Sequence, residues 1–207
     1  YYTWIDLVND LIDTELEKSN MPIVLCGISL GGMLAYQVAC LNKKVSGLIV
    51  TSLADTRKKS VQMGLARNKL FGAVSPLLLS KLSVLTDDIK IPIKWTTKMW
   101  AMANNSNFVN DLMGDEVGSG SWVFLKFFRT LFEASPEIEP ENFDLCPILF
   151  LQPEKDYIIP WSMSKPFYDA LSCPKSLVFL ENCGHIPLEQ PGTDQMINGV
   201  VEFLEEL

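Results

Sequence analysis

The sequence predicts an α/β fold, a mostly parallel sheet wrapped by helices with a helical insertion in its middle. Three observations lead there. Short apolar runs at 23–26, 45–51, 147–151 and 176–180 alternate with stretches of helical periodicity, the pattern of a parallel sheet crossed by helices. Between 52 and 143 that alternation stops and helical stretches follow one another. Third, the pentapeptide Gly27-Ile28-Ser29-Leu30-Gly31 sits where the first apolar run gives way to a helix. A serine held on such a turn presents its hydroxyl at the sheet edge, and the residues beside it must be small because strand and helix nearly touch.

The chain opens with Trp4, Ile5, Leu7, Val8, Leu11, Ile12 and Leu16 at helical spacing among acidic residues, a surface helix ending near Lys18-Ser19-Asn20. From Ser19 to Asn42 no side chain is charged, which is long enough for a membrane span, and Gly27-xxx-Gly31 has the spacing of a helix-dimerisation face. Pro22, Gly27, Gly31 and Gly32 interrupt that run and no aromatic belt marks both ends, so strand, turn and buried helix to Leu41 is the preferred reading. A second buried strand covers 45–51.

The insertion carries helical stretches at 57–70, 75–85, 92–103, 107–113 and 121–134, with no β-alternation among them. It closes with the acidic, proline-bearing segment 135–140. Then come a strand at 147–151, a helix at 161–171 and a strand at 176–180. A last helix runs from about Thr193, with Met196, Ile197, Val200, Val201, Phe203 and Leu204 on its apolar side. The expected division is therefore a core of 1–51 and 144–207 and a cap of 52–143.

Composition narrows the function. The chain has 207 residues, enough for a sizeable core, and a formal charge of −8. With no basic stripe interleaved with aromatics, nucleic acid is not an expected partner. Five scattered cysteines without a C-x-x-C pair, beside one histidine, argue against a zinc site and for free thiols in a reducing compartment such as the cytoplasm.

Three polar residues follow three of the strands: Ser29, Asp156 and His185. In a parallel sheet the carboxyl ends of the strands share one rim, so these loops converge. A serine hydroxyl needs a base within hydrogen-bond reach, and the base needs a carboxylate to fix its tautomer. The order Ser, Asp, His is the one this kind of sheet produces. His185 has no competitor as base. Glu154 rivals Asp156 as the acid, with Asp156 preferred. Cys183 lies two residues before His185 but has no turn of the serine's kind around it.

The segments Gly27-Ile28-Ser29-Leu30-Gly31-Gly32, Asp156-Tyr157-Ile158-Ile159-Pro160 and Gly184-His185-Ile186-Pro187-Leu188-Glu189 resemble the serine, acid and histidine segments of the α/β-hydrolase fold. Within it they resemble single-domain esterases and monoacylglycerol-lipase-like enzymes. The match covers about 1–51 and 145–207; the insertion resembles a family cap by position and helicity. The resemblance implies Ser29 as nucleophile, His185 as base and then acid, Asp156 as its orienter, and the backbone N–H of Leu30 as an oxyanion-hole donor. Gln152 departs from the glycine often seen at its position. Family members carry roughly half their sheet before the serine turn, so the sequence reads as the C-terminal part of an α/β-hydrolase. The second oxyanion donor would come from an earlier loop, and losing one donor costs about a hundred- to a thousandfold in rate.

The expected activity is hydrolysis of a carboxylic ester with an apolar acyl group, through an acyl-enzyme, with no cofactor and a small-molecule, lipid-like substrate. Two alternatives stand beside it. One is other chemistry on the same scaffold, on an amide, a thioester or a carbon–carbon bond, or perhydrolysis. The other is a non-catalytic binding protein of hydrolase shape.

Overall fold

The structure is a computed structural model that describes residues 1–118 and 120–207. Its centre is a four-stranded parallel sheet built from β1 (Ile23–Ile28), β2 (Val45–Thr51), β5 (Ile148–Pro153) and β6 (Lys175–Leu180), in the order β1-β2-β5-β6. Helix α1 (Tyr2–Lys18) precedes β1, α2 (Leu30–Leu41) joins β1 to β2, α9 (Trp161–Ala170) joins β5 to β6, and α10 (Gly192–Glu205) closes the chain.

The central strands are mainly apolar because both faces are covered. Leu48, Val50, Ile148 and Phe150 point to one side, where they meet Ile5 and Ile12 of α1, the buried face of α2, and Phe167 of α9. Ile49, Leu149, Leu151 and Leu180 point to the other, where Phe203 of α10 packs. One helix does not cover that whole face. Cys26 and Ile28 on the edge strand β1 therefore remain exposed, whereas the other four cysteines are buried. On α10, Phe203 is buried and Met196 and Val200 pack beside it, but Ile197, Val201 and Leu204 stay exposed, so the expected apolar side is only half used. Leu7 and Leu11 of α1 are likewise exposed.

Between β2 and β5 the chain forms α3 (Lys59–Leu65), α4 (Lys69–Lys81), α5 (Ser83–Thr86), β3 (Lys90–Pro92), α6 (Ile93–Thr96), a 3-10 turn at Met99–Ala101, α7 (Ser106–Gly114), β4 (Trp122–Phe124) and α8 (Leu125–Glu133). Two sequence expectations need correction here. β3 and β4 pair as an antiparallel ribbon where none was expected, each strand being three residues long and thus too short to show alternation. The first two helices also divide near Ala66–Asn68 instead of beyond 70, because the Asn68 side chain accepts the N–H groups of Leu70 and Phe71 and starts α4 there. This layer meets the sheet rim through Ala54, Val61, Ala101, Ile158 and Ile159. Arg57 clasps its two ends, binding Asp55 and both carboxylate oxygens of Glu139 at 2.6 and 2.7 Å. Among the described residues no helix is long and apolar enough to cross a membrane, and the 19–42 run is strand, turn and helix.

Candidate active site

Ser29 occupies the turn between β1 and α2 with φ 56° and ψ −116°, a conformation that L-residues rarely hold. The turn is fixed from several sides. The Ser29 N–H donates to Thr51 O on β2, and the N–H of Gly32 donates to Ser29 O. At Gly27 a Cβ would fall 2.2 Å from Gly31 O, so strand and helix backbones touch there and only glycine fits. Gly31, in contrast, has open space where its Cβ would stand. Its carbonyl makes the contact with Gly27, and its own lack of a side chain is not required by space. The Leu30 N–H opens α2 and is one of the donors a helix leaves without an internal acceptor.

His185 and Asp156 come together as the sequence order suggests. The Nδ1 of His185 lies 2.8 Å from Asp156 Oδ2, and both side chains are almost wholly buried. The other carboxylate oxygen, Oδ1, accepts the N–H groups of Ile158 and Ile159 at 2.8 Å each. The loop thus folds around its own aspartate, and Nδ1–H is the ring proton that this carboxylate can hold. Glu154 does something else: it is exposed and accepts the N–H of Asn182 at 2.9 Å. Gln152, which replaces an expected glycine, is fully buried and donates through its amide to Pro153 O and Ile159 O, bracing the same loop.

Sequence reasoning missed Ser52. Its hydroxyl donates to Asp156 Oδ2 at 2.7 Å, so this oxygen faces both Ser52 and His185. Ser52 is fully buried and sits at φ 50°, just past the end of β2. The signal was available: the polar pair Thr51-Ser52 ends an apolar strand on the same rim as Ser29 and Asp156. The described non-glycine residues with positive φ are Ser29, Ser52 and Asn182, and each follows a sheet strand at that rim.

Glu189 secures the histidine loop. Its carboxylate accepts the N–H groups of Gly184, Leu188 and Asn104, and Ile186 N–H donates to Met102 O at 2.7 Å. A Cβ at Gly184 would approach Asn104 N to 2.9 Å, so the glycine lets the 102–104 segment close over the loop.

Ser29, Leu30, Met33 and His185 line one side of a cavity of about 1500 Å³; α4, the ribbon and α8 line the other. The remaining walls are mainly aliphatic and aromatic, with Leu65, Phe71, Leu78, Phe128 and Phe132 among them. Among the described residues no group of three or more histidine, cysteine or acidic side chains could hold a metal.

Comparison with known proteins agrees with this architecture. The family model Hydrolase_4, described as serine aminopeptidase S33, matches residues 3–191. A curated relative, the polyketide transferase ATR5 of Stachybotrys chlorohalonatus, is 21% identical over 203 residues, covering 89% of this chain and 63% of its own length. The chain therefore spans less than two thirds of that relative. Among solved structures, the monoacylglycerol lipase of Paleococcus ferrophilus superposes with a TM-score of 0.72 at 19% identity, over 97% of this chain and 74% of the lipase. The α/β hydrolase GrgF from Penicillium sp. sh18 follows with a TM-score of 0.65 at 14% identity, over 98% of this chain and 70% of the hydrolase. At these identities the structures speak for the fold, and the family model covers most of the chain: it belongs to the Hydrolase_4 family of serine aminopeptidase S33-like α/β hydrolases.

Proposed function

We propose that this chain carries the acyl-transfer centre of a serine hydrolase acting on carboxylic esters with an apolar acyl group. Ser29 Oγ attacks the ester carbonyl while His185 takes its proton. The tetrahedral oxyanion is held by the Leu30 N–H as one donor. His185 then returns the proton to the leaving alcohol, and water repeats the cycle to free the acid. Asp156 fixes the imidazole, and residues 52–143 act as a cap over the acyl pocket. The observation that carries this reading is the His185–Asp156 contact beside a serine held at positive φ on the same cavity. The cavity exceeds the roughly 300–1000 Å³ of ordinary ligand sites and its apolar walls suit a long acyl chain better than a peptide.

A p-nitrophenyl ester series tests this. Turnover by the full-length protein should rise from acetyl to medium and long chains, and Ser29→Ala should abolish it by about a millionfold where the oxyanion hole is complete. Turnover unchanged in that variant would place the chemistry away from Ser29, and no turnover even by the parent would leave a binding protein of hydrolase shape. A second reading follows from the curated relative being a polyketide transferase: the acyl-enzyme would pass its acyl group to a hydroxyl of an acceptor instead of water. Added alcohols that convert acid product into ester would identify it.

A further inference from the structure

We propose that the outer face of the helical layer, around α4, α5 and the β3–β4 ribbon, docks onto an anionic lipid surface. The acidity of the whole chain conceals the charge of this part. Residues 56–134, the whole helical layer, hold eleven lysines and arginines against six acidic residues, while the rest of the chain holds six basic residues against nineteen acidic ones. Arg67, Lys69, Lys81, Lys90 and Lys94 are all exposed, and none forms an ion pair among the described residues. Asp87 is bound by Arg129, and exposed acids remain at Asp88 and, on α7 and ahead of β4, at Asp111, Asp115 and Glu116.

The same face is apolar where a water-facing surface should be polar. Val84 is 97% exposed and Leu85 75%, and Leu77 of α4 is exposed as well. Trp95 and Trp122 are both exposed and lie with ring centroids 6.3 Å apart at the ribbon. These elements are joined: Leu125 N–H donates to Ile89 O and Lys126 N–H to Asp87 O, tying the turn after α5 to α8. Phe71 and Trp95 line the cavity and keep most of their surface accessible.

Aliphatic side chains with interleaved lysines and tryptophans are the composition of a segment that rests in the headgroup region, with cations on phosphate oxygens and apolar tips among the upper acyl carbons. A second copy of this face would bring like charges together, so the charge pattern favours a lipid occupant over self-association. The inference rests on exposure and charge, independently of the proposed chemistry.

Co-sedimentation of the full-length protein with vesicles tests it, using phosphatidylcholine alone and phosphatidylcholine with phosphatidylserine. Binding should favour the phosphatidylserine vesicles about tenfold or more and weaken as salt rises from about 0.05 to about 0.5 M. Val84→Asp with Leu85→Asp, and separately Lys69→Glu with Lys81→Glu and Lys94→Glu, should each reduce it about tenfold. None of these residues lines the cavity, so hydrolysis of a short soluble ester should be unchanged. Ser29→Ala should bind vesicles like the parent, so loss of chemistry and loss of docking are read separately. Equal binding to both vesicle types, no binding, or a dimer that the Val84/Leu85 variant disperses would overturn the inference.

Discussion

At the scale of single residues, Asp156 has its four shortest contacts with Ser52, His185, Ile158 and Ile159. A carboxylate held by that many donors has one orientation, and the imidazole inherits it. Asp156→Asn should lower kcat by about a thousand- to ten-thousandfold, because the amide can donate and so favours the wrong tautomer, whereas Glu154→Gln should leave kcat unchanged. Ser52→Gly isolates the missed residue. Glycine accepts φ 50° without strain, so the fold should hold while kcat/KM drops about tenfold from the lost charge-assisted bond. A melting curve alongside the kinetics separates the two effects. Asp156 and His185 were legible because each polar residue follows an apolar strand. Ser52 was not noticed because a serine after a strand reads as a turn. Its role depends on β2 lying between β1 and β5, an order that chain position alone does not reveal.

At the scale of elements, the regular sheet was legible and the layer above it was not. Strands β1, β2, β5 and β6 each carry a run of apolar residues, buried on both faces in the central β2 and β5, a signal that survives any local irregularity. The insertion lacks such a constraint. Its helices are short, α4 contains Pro76, and large apolar residues line a cavity instead of a packed core, so periodicity blurs. What holds this layer in place is local polar chemistry. The Asn68 cap of α4 should be worth about 1 kcal/mol in a thermal melt of Asn68→Ala. The Arg57 clasp adds a pH dependence. Hydrogen bonds from Arg57 hold the Glu139 carboxyl below its ordinary value of 4.5. A depressed acid stabilises the fold above its unfolded pKa, and that contribution disappears as pH falls through the lower folded value. Glu139 is half exposed, so screening leaves the pair about 0.5 kcal/mol. Hydrogen exchange should show residues 55–65 opening more readily below pH 4.5, and Arg57→Ala should show that opening at neutral pH.

At the scale of the whole molecule, the sheet ends on its most consequential strand. β1 carries the serine turn, pairs among the described residues only with β2, and leaves Cys26 and Ile28 uncovered. An unpaired parallel edge is a template for further pairing, so the isolated 207-residue chain should self-associate with rising concentration in light scattering. The thiols report the same asymmetry. Burial pushes Cys40 and Cys173 up to about 11 and Cys146 to about 12 and raises Cys183 and Cys26 as well, but Cys26 alone of the five is exposed. Alkylation of the native protein should therefore modify Cys26 alone, and all five cysteines after unfolding.

The central claim is that three loops on one rim form a single reacting unit. Fluorophosphonate treatment of the full-length protein, read by mass spectrometry of its peptides, addresses it directly. The account predicts one adduct on Ser29 that disappears when His185 is replaced by alanine. An adduct elsewhere, or labelling of Ser29 at the same rate without His185, would contradict it.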